Sequence, residues 1–344
     1  MSIDVILSDL MGIASPTGFG SIMRSQVANK IAPLVDSVEE DIRGNVICSK
    51  YASTSEKKTV ALVAHYDQVG MIVTHIEESG LIRFGLIGVI DTQLFRGHKV
   101  QIFHRGRSVY GVVGVLPSNM RKEGEKKDVD TSDMWIDIGT RSREETLKFV
   151  SIGDFITWDS QSLKMANDIF SGCACDNKAG MAAVISVLEK LQHTKLSCNL
   201  ITIFTSKEEI GFRSVTLAIQ KTKPDIVIVV DTGHATDYPL VKKAKYGDVR
   251  IGEGCIIPIG MDTNNDLQDQ LLQICDGLSI KCQCVALSEP SGSDANAIDR
   301  SDADCKIGMV LIPCRYMHSP IEVVSLRDIN AVSDLLKSFC INLS

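Results

Sequence analysis

The sequence predicts an α/β fold: a mixed, mostly parallel sheet flanked by helices, with a small inserted β-rich domain. Strand-length apolar runs alternate with amphipathic helical segments in the second half of the chain. Residues 59–64 form an unbroken aliphatic and β-branched run, which is typical of a strand buried on both faces. Residues 70–160 instead contain short strand-like runs separated by Gly-rich turns, which indicates a separate β-rich unit.

The length of the chain predicts two domains. Its 344 residues exceed what a single hydrophobic core ordinarily serves. The sequence pattern also changes near residues 70 and 160, from alternating helical and strand-like segments to short strand-like runs with Gly-rich turns. We therefore expect residues 1–69 and 161–344 to form an α/β catalytic domain and residues 70–160 to form a β-barrel-like insertion.

The composition narrows the expected location and partners. Hydrophobic residues make up 44% of the chain and charged residues 23%, as in soluble globular proteins. The net charge of −7 gives no reason to expect nucleic-acid binding, and the apolar runs are too short to cross a membrane. The start of the chain lacks a basic leader, and the eleven cysteines are scattered without a CxxC pair. These features predict a cytoplasmic protein with reduced, mostly buried thiols.

The elements can be predicted in order along the chain. Segment 3–35 alternates helical patches around an SPTGFG turn, and GMIVTHI, HKVQIF, SVYGVVGV and DFITW are the strands expected in the insertion. The insertion also holds one short helix, SREETLKF, and a charged loop, MRKEGEKKDVD. A helix should begin at residue 177 with Asp176 as its N-cap, followed by strand 199–205, helix 214–220 and strand 226–230.

The last third continues the alternation. Thr263 or Asn264 can cap a helix that runs to about Cys275, and IKCQCVAL and MVLI are predicted strands. A closing helix spans 326–339, where Ser325 and Asp328 have the spacing of a capping box.

Acidic and histidine residues lie where strand-like runs give way to polar turns or helix starts. The carboxyl ends of strands in an open α/β sheet converge on one crevice. Two histidines, several carboxylates and a spare glutamate there would suit two zinc-like ions and a general base. The candidate residues are His65, Asp67, Asp176, Glu208, Glu209, Asp231 and His318.

Two pairs of neighbours carry most of this interpretation. His65 and Asp67 lie two residues apart, and a carboxylate beside a metal-binding histidine often fixes the orientation of its ring. Adjacent carboxylates at Glu208 and Glu209 repel each other after a buried strand unless cations lie nearby. In a two-metal hydrolase, one of the two would bind metal and the other would take a proton from water.

Each of these residues also has an ordinary structural explanation. His65 could make a simple strand-end hydrogen bond, Asp176 could be only a helix cap, and the glutamates could be solvated at a helix start. The other five histidines lack comparable context, although His234 lies only three residues from Asp231.

Seven motifs, in this order along the chain, resemble those of the M42 family of metallo-aminopeptidases, which includes glutamyl and tetrahedral aminopeptidases and proteins once labelled cellulases. The resemblance covers nearly the whole chain, and the ordered set is highly specific although each motif alone is weak. The motifs are AHYDQVG, WIDIGTRSREE, SGCACDNKAG, SKEEIG, VVDTGHATDYP, SGSDANAI and RYMHSPIEVV.

The resemblance implies a zinc exopeptidase-like fold and a pair of zinc or cobalt ions. His65, Asp176 and Asp231 would hold one ion. Asp176, Glu209 and His318 would hold the other, so that Asp176 bridges the two. Asp67 would orient His65, and Glu208 would be the general base. The resemblance further implies that short peptides are the substrates and that the inserted domain mediates assembly of a homo-oligomer, such as a tetrahedral dodecamer.

The chain departs from the family pattern near the expected site. Gln68 replaces a usual Glu, Cys175 a larger apolar residue and Ser293 the Thr of GGTDA, and VLPSNM lacks a usual His. These differences bear on pocket shape and substrate preference, because every expected ligand and the base are present.

The predicted function is therefore that of a dinuclear-metal aminopeptidase acting on short peptides. The alternative is a di-metal amidase or deacylase acting on N-acylated small molecules, since the same ligands would serve it. A non-catalytic metal-binding subunit would not need both Glu208 and Glu209. Glycoside hydrolysis is disfavoured, because an aromatic content of 5% leaves few residues to stack on sugars.

Overall fold

The computed structural model describes residues 1–52, 58–120 and 130–343. These residues form strands β1 to β17, with the following bounds: β1 Ser37–Glu40, β2 Val46–Lys50, β3 Thr59–His65, β4 Gly70–Ile76, β5 Ile82–Ile87, β6 Lys99–His104, β7 Arg107–Val113, β8 Ile136–Asp137, β9 Phe155–Trp158, β10 Leu163–Lys164, β11 Ile169–Gly172, β12 Asn199–Thr205, β13 Ile226–His234, β14 Cys255–Gly260, β15 Cys282–Leu287, β16 Lys306–Arg315 and β17 Glu322–Ser325. They also form helices α1 to α9: α1 Ile3–Met11, α2 Ser21–Ile31, α3 Arg143–Thr146, α4 Cys175–Lys190, α5 Val215–Thr222, α6 Lys243–Tyr246, α7 Asn265–Leu278, α8 Asp294–Asp299 and α9 Leu326–Asn342.

A large mixed sheet organises most of the chain. Its strand order is β1-β2-β12-β3-β13-β16-β17-β11-β10, and β14 joins β16 to β15 at one side. The run β12-β3-β13-β16 and the β14–β15 pair are parallel, whereas the other described pairings are antiparallel. The prediction of a mixed sheet flanked by helices is confirmed. Parallel pairing is confined to the central run and the β14–β15 pair, and the remaining strands of the sheet pair antiparallel. Three of the antiparallel pairs, β1–β2, β10–β11 and β16–β17, join strands that follow one another along the chain through short connections, which permit antiparallel pairing.

The central strands are buried on both faces, as residues 59–64 predict. Leu62 packs into a core shared with α1, α4 and α9, while Val63, one residue on, packs into a second core with α5 and α8. Alternate side chains of a strand point to opposite faces, so one apolar run can fill both layers. The ends of these rigid strands therefore hold fixed positions for a site.

Residues between β3 and β10 contain a closed barrel. Its strand order is β4-β5-β8-β7-β6-β9, and it encloses its own apolar cluster, which includes Met71, Phe95, Ile102 and Trp158. The four predicted strands of this region are all present, and SREETLKF forms only the single turn α3. The charged loop MRKEGEKKDVD lies almost entirely outside the described residues.

Two predicted helix caps are corrected by the structure. Asp176 is not the side-chain cap of α4: the Asn177 side chain, rather than that of Asp176, accepts the hydrogen bond from the Gly180 amide, at 3.0 Å. This leaves the Asp176 carboxylate available for other contacts. Ser325 caps α9 by accepting from the Arg327 amide, but Asp328 does not complete a capping box. The carboxylate of Asp328 instead accepts from the amides of Gly252 and Gly254.

All eleven cysteines are free thiols, and most are buried, as predicted. Across the described ranges, no helix combines the length and the apolar character needed to span a membrane.

Candidate metal centre

The central strands and the loops that follow them bring the predicted site residues together. His65 ends β3, and Asp231 lies in β13, its parallel neighbour. Glu208 and Glu209 follow β12 in a turn rather than at a helix start, since α5 begins only at Val215. Asp176 lies in the irregular first turn of α4, and His318 lies in the turn between β16 and β17.

The first group of side chains surrounds the Nε2 atom of His65. This nitrogen lies 3.2 Å from Asp176 Oδ1, 3.4 Å from Asp231 Oδ1 and 3.9 Å from Glu208 Oε2. All four residues are buried. Ligand atoms of His65, Glu208 and Asp231 lie within 4.8 Å of one another, which is close enough to hold an ion.

The second group surrounds the Nε2 atom of His318. It lies 3.4 Å from Asp176 Oδ2 and 3.3 Å from Glu209 Oε2, and these three residues also converge within 4.8 Å. The two oxygens of Asp176 therefore face the two histidines, one oxygen to each group. This is the position that a bridging carboxylate would occupy.

Both histidine rings are oriented by backbone carbonyl groups. His65 Nδ1 lies 3.0 Å from the carbonyl oxygen of Asp67, and His318 Nδ1 lies 2.8 Å from the carbonyl oxygen of Val89 in the loop after β5. When each Nδ1–H donates to its carbonyl oxygen, the Nε2 lone pair is left for a metal ion. The barrel thus contributes directly to the site through Val89.

The electrostatics of the site are strongly anionic. Burial raises the pKa of Glu208 well above its ordinary value and, with the charge of Asp176 contributing, raises the pKa of Glu209 to about 7. Burial also raises the pKa of Asp231, against the lowering effect of His65. The reverse holds for His318: burial lowers its pKa, but hydrogen bonds to Asp176 and Glu209 outweigh this and raise it to about 11. Cations at the site would relieve the repulsion among these carboxylates.

Two further observations indicate that these residues suit a pair of divalent cations. Glu209 Oε1 is buried and has no hydrogen-bond partner, although carboxylate oxygens in protein interiors are almost always satisfied. Imidazole nitrogen combined with carboxylate oxygen is a donor set that suits zinc and similar divalent ions.

Asp67 makes different contacts from those expected. Its carboxylate Oδ1 lies 3.7 Å from His65 Nδ1, beyond hydrogen-bond distance, and it is the backbone carbonyl that contacts the ring. The carboxylate instead accepts a hydrogen bond of 2.6 Å from the Thr17 hydroxyl and one of 3.2 Å from the Glu208 amide. Asp67 therefore holds the backbone of Glu208 in place, and the SPTGFG turn supplies a contact that the sequence did not indicate.

Glu322 is a further residue that the sequence interpretation missed. Its side chain is only 1% exposed, and it accepts hydrogen bonds from the amide of Asp176 (2.9 Å) and from the amide of His318 (2.8 Å). One carboxylate thus ties together the segments that carry two of the three residues of the second group, Asp176 and His318. Burial and the charge of Asp176 raise the pKa of Glu322 well above its ordinary value, which nearby cations would counter. The only sequence signal was its place four residues after His318 in RYMHSPIEVV.

Gln68, which stands where the family usually has Glu, lies beside the buried ammonium group of Lys178. Lys178 is 2% exposed, and its ammonium group donates to Gln68 Oε1 at 3.0 Å and to the Ile13 carbonyl at 2.6 Å. Burial lowers the pKa of Lys178 to about 8. Gln68 is therefore a packing and hydrogen-bonding residue behind the site.

Ser293 and Cys175, which also differ from the family pattern, both make contacts that explain how they fit the structure. Ser293 caps α8 through the Ala295 amide, a contact that threonine could also make. The next residue, Asp294, accepts from Thr205, and its other oxygen is buried without a partner. Cys175 is fully buried, with its thiol near the carbonyl oxygens of Gly172 and Glu322.

The other histidines stay outside the two groups. His104 pairs with Asp154 inside the barrel region at 2.8 Å. His234 is exposed at the end of β13.

Comparison with known proteins places this arrangement among the peptidases. The model of the M42 glutamyl aminopeptidase family matches residues 44–335. A protein of Acetivibrio thermocellus whose name assigns it to the aminopeptidases is 31% identical over 97% of this chain and 98% of its own length. The lysyl aminopeptidase of Pyrococcus furiosus is 27% identical (92% and 90%), and the glutamyl aminopeptidase of Lactococcus lactis is 25% identical (97% and 95%).

Solved structures agree closely with this fold. An aminopeptidase from Desulfurococcus kamchatkensis superposes with a TM-score of 0.93 at 26% identity, covering 99% of this chain and 95% of its own. A Pyrococcus horikoshii peptidase, described as able to assemble into a tetrahedron or a large octahedral shell, gives a TM-score of 0.88 at 25% identity, with 99% and 100% covered.

The fold, the site and these relatives define an enzyme: a hydrolase that acts on peptide bonds. The chain belongs to the M42 family of glutamyl aminopeptidases, as its motifs predicted. Membership of this metallopeptidase family implies divalent metal ions, for which the two convergent groups are available.

Proposed function

We propose that this protein is a co-catalytic dinuclear-metal aminopeptidase that removes N-terminal residues from short peptides. The position of Asp176 carries the proposal, because its two oxygens lie between two separate histidine–carboxylate groups. A single buried carboxylate placed in this way suits two cations far better than one.

The proposed ligands follow from the distances. His65, Asp176 and Asp231 hold one ion, and Asp176, Glu209 and His318 hold the other. Glu208 is the most distant of the acids around His65, at 3.9 Å, which agrees with a role as base rather than ligand. Zinc or cobalt is the proposed metal, since both accept mixed imidazole and carboxylate donors, and a zinc exopeptidase-like fold is part of this proposal.

When bound, the cations would polarise the scissile carbonyl group and lower the pKa of the attacking water. Glu208 takes the proton of that water and returns it to the leaving amine. Asp67 keeps Glu208 in position through the Glu208 amide, while Glu322 and the Val89 carbonyl keep His318 in position.

The experiment that tests this function compares short peptides with free and with N-acetylated amino termini, using protein depleted of metal and then supplied with zinc or cobalt. We expect metal-dependent release of the first residue from the free peptides only, measured by chromatography of the products. Cleavage of the acetylated set alone would contradict the proposal and indicate a deacylase built on the same ligands.

We further propose that residues 70–160 are an assembly domain and that the chain forms a homo-oligomer, with a tetrahedral dodecamer as the expected form. The barrel exposes large apolar side chains, among them Val112 (47% exposed) and Ile152 (57% exposed). The assembling Pyrococcus horikoshii relative, which matches almost the whole chain, supports this proposal.

Charged substitutions test the assembly role. Val112→Asp and Ile152→Asp place a charge on the barrel surface, and at least one of them should lower the particle mass measured by light scattering. Ile42→Asp is the matched control, because Ile42 is 94% exposed outside the barrel. If both barrel variants kept the wild-type mass while Ile42→Asp lowered it, the proposed role of the barrel would be wrong.

A further inference from the structure

A turn near the start of the chain, SPTGFG, pairs with the segment that follows β3. Pro16 and Gln68 are bridge partners in a parallel arrangement. The Gln68 amide donates to the Ser15 carbonyl oxygen at 3.0 Å, and the Thr17 amide donates to the Gln68 carbonyl oxygen at 3.1 Å. The Gln68 side chain adds a third bond, because its Oε1 accepts from the Ser15 amide at 3.1 Å. These bonds fix the register of the turn beside Asp67.

Contacts on two other sides hold the same turn. The ring of Phe19 stacks on that of Phe103 in the barrel strand β6, with the ring centroids 4.9 Å apart. On the opposite side, the buried ammonium group of Lys178 in α4 donates to the Ile13 carbonyl oxygen at 2.6 Å and to Gln68 Oε1 at 3.0 Å. A side chain on this turn therefore keeps a fixed position relative to the end of β3.

The Thr17 hydroxyl is the group of this turn that contacts a predicted site residue. Thr17 is 4% exposed, and its Oγ1 lies 2.6 Å from Asp67 Oδ2 and 3.4 Å from the Gln68 carbonyl oxygen. A hydroxyl group has one proton to donate, and a carboxylate is the stronger acceptor, so the bond to Asp67 is the one that forms. The other carboxylate oxygen, Asp67 Oδ1, accepts from the Glu208 amide at 3.2 Å.

The Thr17 bond selects between two orientations of the Asp67 carboxylate. Asp67 Oδ1 lies 3.7 Å from His65 Nδ1, and the last torsion of an aspartate side chain has broad minima. A small rotation would thus exchange the Glu208 amide for the His65 ring. Thr17 opposes this rotation because it holds Oδ2. The carbonyl oxygen of Glu208 accepts from the Gly211 amide within its own turn, so the bond to Asp67 is what joins the backbone at Glu208 to the segment after β3.

We propose that Thr17 is a positioning residue for the reaction. By holding Asp67, its hydroxyl fixes the backbone at Glu208, and with it the approach of the Glu208 carboxylate to the attacking water. This inference rests on the proposed role of Glu208 as general base. A misplacement of about 1 Å can cost about 100-fold in rate, so a bond two contacts away from the base should affect catalysis. Thr17 contacts none of the proposed ligands, so cation binding should not depend on it.

Thr17→Val removes the hydroxyl and keeps the shape of the side chain. We expect kcat for a free peptide to fall by about 10- to 100-fold while KM changes little. Metal affinity, measured by isothermal titration of the metal-depleted protein, should stay at the wild-type value. Thr17→Ser keeps the hydroxyl and should return kcat to within about threefold of the wild type. If Thr17→Val does not fold, Thr17→Ala fits the same space and replaces it in the test.

Thr146→Val is the matched control for the loss of a buried hydroxyl. Thr146 is fully buried in the barrel region, and its Oγ1 donates to the Gly80 carbonyl oxygen at 2.8 Å. This variant loses a comparable hydrogen bond far along the chain from the site motifs, and we expect it to keep the wild-type kcat.

Combining Thr17→Val with Glu208→Gln separates this inference from the proposed function. If Thr17 acts through Glu208, the double variant should be at most about threefold slower than Glu208→Gln alone, because the base is already lost. The inference is overturned if Thr17→Val keeps the wild-type kcat or weakens metal binding, if Thr17→Ser does not restore kcat, or if Thr17→Val costs as much in the Glu208→Gln background as in the wild type. The proposed role of Glu208 fails on a different result, namely a Glu208→Gln variant that keeps the wild-type kcat.

Discussion

Glu208→Gln is expected to lower kcat by about 10²- to 10⁴-fold while cation binding stays intact, because the amide cannot accept the proton of the attacking water. Glu208 is 7% exposed, and it is the acid that lies farthest from His65 in the first group. The measurement pairs steady-state hydrolysis of a free peptide with metal content after dialysis.

The adjacent residue provides the matched control. Glu209→Gln makes the same chemical change one position along, but Glu209 lies 3.3 Å from His318 Nε2 and is a proposed ligand. It should weaken cation binding, so that excess metal restores part of its activity, whereas excess metal should not rescue Glu208→Gln. If Glu208→Gln instead lost metal to the same extent as Glu209→Gln, Glu208 would be a ligand and not the base.

The sequence predicted which side chains converge, because their convergence follows from local pattern. His65 and Asp231 come near the ends of two apolar runs, which form the neighbouring parallel strands β3 and β13. The carboxyl ends of parallel strands lie at the same edge of the sheet, so these two residues lie close together. Every predicted metal-site residue therefore lies close to the others. The division of the two groups, with one oxygen of Asp176 facing each, depended on the backbone turn after Ala174 and could not be read from spacing.

Contacts between distant segments explain what the sequence interpretation missed. Thr17 reaches Asp67 across 50 residues, and Val89 reaches His318 across 229, so no local periodicity could reveal either contact. The cap of α4 illustrates a subtler failure. Both Asp176 and Asn177 are good capping residues, and only the fold decides that Asn177 makes the capping bond while Asp176 turns to the histidines. Which strands pair antiparallel was not predicted either, because an apolar run does not reveal the direction in which it pairs.

The second large effect is expected at Glu322, where a substitution should weaken metal binding without removing any ligand. In Glu322→Gln one of the two acceptor oxygens becomes an NH₂ group, which faces the amide of Asp176 or that of His318, donor against donor. The two segments should then shift, and we expect cation affinity to fall by about 10- to 100-fold, the range found when groups that orient metal ligands are lost. Isothermal titration of the metal-depleted protein measures this, and kcat should recover at saturating metal.

Asp328→Asn separates this positioning role from a general loss of stability. Asp328 is another fully buried acid that accepts two backbone amides, those of Gly252 (2.6 Å) and Gly254 (2.7 Å), and burial raises its pKa to about 7. Both variants leave a buried amide without an acceptor, so each should lower the free energy of unfolding by about 1–3 kcal/mol. Only Glu322→Gln should also change metal affinity, because only Glu322 binds the backbone of Asp176 and His318. Equal metal affinity in the two variants would mean that Glu322 supports the fold alone and that the ligands hold their positions without it.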